Sequence, residues 1–160
     1  MTDVVTALRV NGEDRTIAAP AHRTLLDALR GPLALHGTKK GCDAGACGAC
    51  NVMVDGIVVR ACLTLAADLE GTDVRTIEGF ADGPVPGVIQ QAFVDSGAIQ
   101  CGFCMPGMIV AAAGLLAAND APTVDEVRAG MAGTLCRCSG YVKVVEAVML
   151  AAQGLREGRT

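Results

Sequence analysis

The pattern of apolar and polar positions changes character near the middle of the chain. Residues 4–10 form an apolar-rich run that closes on Asn11-Gly12, and residues 15–18 can pair back on it as the second strand of a hairpin. Thr24 then precedes apolar residues at 25, 26 and 29, with Asp27 three positions on, a start that resembles a capping box. Gly31-Pro32 ends this short helix. Residues 51–54 and 57–60 flank Asp55-Gly56, the strongest hairpin signal in the chain. Residues 74–77 supply one more strand. The sum predicts a small mixed sheet with one helix over residues 1–78, a count of elements like that of a β-grasp.

Residues 79–86, GFADGPVP, are rich in Gly and Pro and predict a linker. Over residues 87–160 the period becomes helical. Val88, Ile89, Ala92 and Phe93 share one face of a first helix. A second runs over residues 106–118, with Pro106 in its first turn, where a missing N–H does no harm. Its apolar character all round predicts burial at the centre of a bundle. Thr123 and Glu126 form a capping-box start for a third helix, which runs to about Met131. Ser139 is placed to cap a fourth over residues 141–153. The fold class is therefore α+β, a sheet domain followed by a helical one, with no internal repeat of roughly 20–50 residues.

Composition adds that this is a folded globular chain: 160 residues, 51% hydrophobic and 19% charged. Two domains of half that length have thin cores, which a bound metal can reinforce. Aromatics are only 2%, so the cores must be aliphatic, with Met filling gaps. A net charge of −4 without a basic stripe excludes nucleic acid as a partner. The opening MTDVVTALRV lacks the charged start and apolar run of a secretory signal. The longest apolar stretch, residues 108–118, is too short to span a bilayer. The expected compartment is cytoplasmic, where thiols stay reduced and cysteines serve metals more often than disulfides.

Eight cysteines fall into two groups of four. Cys42, Cys47, Cys50 and Cys62 read C-x4-C-x2-C-x11-C, the plant-type [2Fe–2S] spacing. Cys101, Cys104, Cys136 and Cys138 read C-x2-C-x31-C-x-C. In the first group Gly41, Gly45 and Gly48 let the loop turn sharply and bring backbone N–H groups to the sulfurs. The 11-residue gap to Cys62 suits two short strands and a turn. In the second group each cysteine pair lies just before a predicted helix, whose N-terminus favours thiolate. Arg137 falls outside the sulfur shell. Four disulfides or two structural zinc sites use the same residues, but the spacings are atypical for zinc and no secretory signal is visible. His22 and His36 are read as surface or loop residues without a ligand role. Lys39 and Lys40 form either a docking site for an acidic partner or a solvated basic loop.

GTKKGCDAGACGAC at 37–50, Cys62, QCGFCMPGM at 100–108 and LCRCSGY at 135–141 together resemble the small iron–sulfur subunit of the molybdenum hydroxylases, the xanthine oxidase family. The resemblance spans nearly the whole chain in order. It implies a plant-ferredoxin-like β-grasp domain and a four-helix bundle, each with one [2Fe–2S] cluster. It implies that Cys101, Cys104, Cys136 and Cys138 hold the cluster nearer the molybdopterin cofactor of a large subunit. Cys42, Cys47, Cys50 and Cys62 would hold the cluster nearer the FAD of a medium subunit. Gln100, with Cys138 near it, would approach the pterin, and the assembly would be a dimer of heterotrimers. Ala46, Met105 and Thr134 stand where many members have Glu, Thr and Asn.

The resulting expectation is an electron-transfer subunit of an oxidoreductase, relaying single electrons between molybdopterin and FAD, with the substrate site on another chain. The alternative is a free-standing two-cluster ferredoxin, with a compact acidic surface instead of large apolar contact areas. A positive mean hydropathy and low charge favour the subunit.

Overall fold

In the computed structural model, which describes residues 3–81 and 87–158, two tight turns set the register of a five-stranded sheet. Asn11-Gly12 joins β1 (Asp3–Val10) to β2 (Glu13–Pro20), with Val10 opposite Glu13. Asp55-Gly56 joins β3 (Asn51–Val54) to β4 (Ile57–Arg60), with Val54 opposite Ile57. Both central residues of each turn have positive φ, 52° and 83° in one and 48° and 80° in the other, as a hairpin turn of this hand requires. β5 (Asp73–Arg75) lies between the hairpins, parallel to β1 and antiparallel to β3, giving the order β2-β1-β5-β3-β4.

The strand expected over residues 74–77 stops early because Asn11 takes its next backbone group. Asn11 Oδ1 accepts from the Thr76 N–H at 2.8 Å and its amide donates to Thr76 Oγ1 at 2.9 Å. Ile77–Phe80 then turns as a short 3-10 helix, so the predicted linker begins inside a turn, and its residues 82–86 lie outside the described residues. α1 (Leu25–Arg30) begins as expected, Thr24 Oγ1 accepting from the Asp27 N–H at 3.1 Å. The Asp27 carboxylate pairs with Lys40 at 3.2 Å. Leu25, Leu26 and Leu29 pack with Leu8, Ile17, Val52 and Val74 into the core of this half, the helix-on-sheet layer of a β-grasp.

The second half is four helices, α2 (Val88–Asp95), α3 (Met105–Ala118), α4 (Val124–Met131) and α5 (Val142–Arg156). Phe93, Met108, Val127, Val144 and Val148 are completely buried at its centre. The capping box of α4 closes in both directions: Thr123 Oγ1 accepts from the Glu126 N–H at 3.3 Å, and the Glu126 carboxylate accepts from the Thr123 N–H at 2.7 Å. Ser139 does not cap α5. Its Oγ accepts from the Tyr141 N–H at 3.3 Å, closing a turn in which Tyr141 is left-handed (φ 68°), and the helix starts only at Val142.

α3 is apolar all round because it is buried on two sides, only one of them the bundle's centre. Met108, Ala112 and Leu116 face the bundle core, while Val110 and Ala113 pack with Met53 of β3 in a seam between the two halves. Gly107 and Gly114 permit the approach: a Cβ at Gly107 would overlap the Gly48 carbonyl oxygen, and one at Gly114 a methyl of Val58. That contact brings the two cysteine groups side by side.

Candidate metal centres

The first group sits in an irregular loop between α1 and β3. Lys40, paired with Asp27 at 3.2 Å and Asp43 at 2.9 Å, ties the loop to α1, so this lysine is engaged within the chain. Lys39 donates to the His36 carbonyl at 2.9 Å; His22 and His36 are both exposed. Gly41 is needed for room, not for its φ, since a Cβ there would lie 2.8 Å from Cys47 Sγ. Gly48 does need its left-handed backbone (φ +72°). The turn aims N–H groups at sulfur: Ala44 and Cys47 donate to Cys42 Sγ at 3.4 and 3.3 Å, and Cys42 donates to Cys47 Sγ at 3.4 Å. These donors, Ala44 first, lower the Cys42 thiol to about 7. Cys50 closes the loop, and Cys62 returns beside it after β4, with the Ala61 N–H on the Cys50 carbonyl at 3.2 Å. Burial pushes the Cys50 thiol up to about 11, with Cys62 adding to the effect.

The second group is assembled from distant segments. Cys101 and Cys104 lie in the turn before α3, Cys104 being the residue that precedes its first turn. Cys136 and Cys138 follow α4. Cys101 Sγ and Cys138 Sγ are 3.7 Å apart. Burial, then the neighbouring Cys136, pushes Cys104 up to about 12. Burial acts on Cys136 in the same sense, but bonds from Ser139 and Cys138 outweigh it and bring the thiol down to about 7. The N–H groups of Cys138 and Ser139 stand 3.4 and 3.3 Å from Cys136 Sγ. Cys101 beside it raises Cys138 above its ordinary value. The start of α5 is not the donor expected for this pair, because the helix begins four residues after Cys138. The intervening turn supplies the N–H groups, and Tyr141 Oη accepts from the Cys136 N–H at 3.0 Å.

The two groups adjoin. Cys42 and Cys47 of the first and all four cysteines of the second line one cavity of about 470 Å³, which Arg137 also borders. The Leu135 N–H donates to the Cys47 carbonyl at 2.8 Å, a direct backbone tie between the loops. Gln100 is exposed, and its amide donates to the Cys138 carbonyl at 3.2 Å. Of the three unusual positions, Ala46 is exposed, Met105 is in the bundle core and Thr134 is buried between the halves. Reading by residue type overlooks Arg60 and Asn51, which join Thr134 in a polar network across that seam. A charged residue ending an apolar strand two positions before Cys62 is its one visible trace.

All eight cysteines are free thiols. Among the described residues no three His, Cys, Asp or Glu side chains converge tightly enough for a single ion. The sulfurs instead associate two and two: Cys42 with Cys47, Cys50 with Cys62, Cys101 with Cys138, and Cys104 with Cys136. A two-iron cluster takes two thiolates on each iron, so the donor sets fit that group.

Comparison with known proteins agrees with this donor chemistry. Residues 8–76 match the model of a 2Fe-2S iron-sulfur cluster binding domain, and residues 76–149 that of a [2Fe-2S] binding domain. The chain is 48% identical over 142 residues to the nicotine 6-hydroxylase small subunit of Paenarthrobacter nicotinovorans, covering 89% of this chain and 86% of that protein. It is 42% identical over 153 residues to the nicotinate dehydrogenase small FeS subunit of Eubacterium barkeri, covering 96% and 98%. The crystal structure of quinoline 2-oxidoreductase from Pseudomonas putida 86 contains a chain that superposes with a TM-score of 0.95 at 40% identity, over 100% of both chains.

Proposed function

Because this chain belongs to the molybdenum hydroxylase (xanthine oxidase) family, as its small iron–sulfur subunit, we propose that its cysteines form two ligand sets in series between a molybdopterin site on a large partner and FAD on a medium one. Cys42, Cys47, Cys50 and Cys62 hold one [2Fe–2S] cluster, and Cys101, Cys104, Cys136 and Cys138 hold the other. The observation that carries this assignment is the meeting of both sets at one cavity, joined by the Leu135–Cys47 backbone bond of 2.8 Å. Each cluster, when bound, accepts and releases one electron at a time. The protein's share is to fix the sulfurs and to aim N–H groups at Cys42, Cys47 and Cys136, which stabilises negative charge there.

The second set is the one proposed to face molybdopterin. Phe103, Leu135 and Tyr141 line its cavity and are exposed, a largely apolar rim that suits a covering partner better than solvent. Gln100, exposed and bonded to the Cys138 carbonyl, is the residue proposed to meet the pterin. The first set then faces FAD. The domains divide as residues 1–78 and 87–160 around the linker at 79–86, and the assembly is a cytoplasmic dimer of heterotrimers. Among the described residues no helix is long and apolar enough to cross a membrane.

The test is metal analysis of the intact assembly. Iron and acid-labile sulfide should each be about four per chain, with two distinct electron paramagnetic resonance signals after reduction. Zinc in their place, or a single signal at half that content, overturns the assignment.

A further inference from the structure

We infer that Arg60 is a positioning residue that locks the two cysteine loops in register and lends both of them its positive charge. This rests on the ligand assignment above. Arg60 ends β4, two residues before Cys62. Its Nε donates to the Gly45 carbonyl at 3.2 Å, inside the first cysteine loop. One terminal nitrogen donates to Asn51 Oδ1, and the other to the Gly133 carbonyl at 2.5 Å, three residues before Cys136. Asn51, which directly follows Cys50, passes the connection on: its amide donates to Thr134 Oγ1 and to the Gly107 carbonyl, each at 3.1 Å. Asn51 and Thr134 are 2% and 1% exposed, so neither has water to replace a lost partner.

One guanidinium therefore touches both loops, and through Asn51 it reaches the start of α3. The fork geometry matters, because three bonds in three directions need the planar donor set of Arg, which Lys lacks. The chain is also built around it: a Cβ at Gly133 would lie 2.8 Å from an Arg60 nitrogen. Among the described residues Arg60 pairs with no carboxylate. Its neighbours are carbonyl and amide oxygens, so its charge is not cancelled locally. The Gly45 and Gly133 carbonyls it bonds belong to the two loops that carry the thiolate sets. A cation held there favours added negative charge at either set, an influence strengthened by the partly dry seam.

The experiment uses the intact assembly with Arg60→Met, Arg60→Lys and Thr134→Val. Two readouts are followed besides turnover: the magnetic interaction between the two reduced signals, which depends on their separation and orientation, and the midpoint potential of each. Arg60→Met should keep both signals, change their interaction and lower both potentials. Arg60→Lys should keep the potentials close to wild type and still change the interaction, because charge remains and the fork is lost. Thr134→Val, which removes one acceptor and no charge, should change the interaction to a smaller extent at unchanged potentials. If Arg60→Met fails to assemble, Arg60→Gln replaces it as the variant that removes the charge, with the same expected potentials. Wild-type interaction in both Arg60→Lys and Thr134→Val overturns the positioning role, and wild-type potentials in Arg60→Met overturn the electrostatic one. Absence of both signals from the wild-type protein would instead defeat the ligand assignment.

Discussion

The two cysteine groups meet one chemical demand by opposite routes. The first takes three sulfurs from nine consecutive residues, Cys42 to Cys50, and a fourth from just past the hairpin that follows directly. Its geometry is local: glycines give room and turn, and backbone N–H groups of the same loop reach the sulfurs. The second takes two pairs separated by 31 residues and closes only when α3 and α4 have packed. A local site depends on loop chemistry, whereas a site made by tertiary packing depends on the core beneath it. The two should therefore fail independently, and under different injuries.

The strongest break in the comparison is removal of one proposed ligand from each side. Cys104→Ser should abolish one resonance signal and leave the other, with iron falling from about four to about two per chain. Cys50→Ser should give the complementary loss. If either change removes both signals, the groups are not independent sites. Core truncation comes next. Phe93 and Leu26 are completely buried in the bundle and the sheet core respectively. Phe93→Ala should cost about 3–5 kcal/mol and Leu26→Ala about 2–5 kcal/mol, as cavities of that size do. Monitored by urea titration of the two signals, Phe93→Ala should release the second group's iron first. Leu26→Ala should preferentially weaken the first.

The same contrast explains what could be read before the fold was known. Asn11-Gly12, Asp55-Gly56, Thr24 and the Thr123–Glu126 box are legible because each acts within four residues of itself. The first cysteine group is legible for the same reason. Misreadings arise where a side chain serves a partner elsewhere. Asn11 ends β5 from 65 residues away, and Ser139 gives its oxygen to the turn at Tyr141 in place of the helix end. α3 looks like a bundle centre because its hydrophobic pattern cannot tell a sheet from a helix as the second neighbour. Arg60 is the extreme case. Its acceptors at Gly45, Asn51 and Gly133 come from three segments, and no local pattern announces them.

The seam offers a change that should treat both groups alike. In Gly107→Ala the new methyl meets the Gly48 carbonyl of the first loop, while the helix it sits on begins beside Cys104. Accommodating it should cost about 1–3 kcal/mol, the usual penalty of overpacking. Both signals should persist and both should shift. A shift confined to one signal would mean that the loops adjust separately and that the seam does not couple them.

The smallest effect belongs to the cap of α4, which touches neither cysteine group. Thr123→Ala should lower stability by about 1 kcal/mol through the lost cap and leave both signals unaltered. The cap also carries a pH signature. Hydrogen bonds from Thr123, the backbone N–H first, hold the Glu126 carboxyl below its ordinary value. A carboxylate held low stabilises the fold at pH values above its unfolded pKa, and that contribution disappears as pH falls through the lowered folded value. Amide-exchange protection over Val124–Met131 is a local measure of this, independent of the metal sites. Wild-type protection, corrected for intrinsic exchange, should hold from neutrality down to the ordinary Glu value of about 4.3 and decline as pH falls below it. Glu126→Gln should start lower and show no such decline. An equal decline in Glu126→Gln would assign the loss to a group other than this cap.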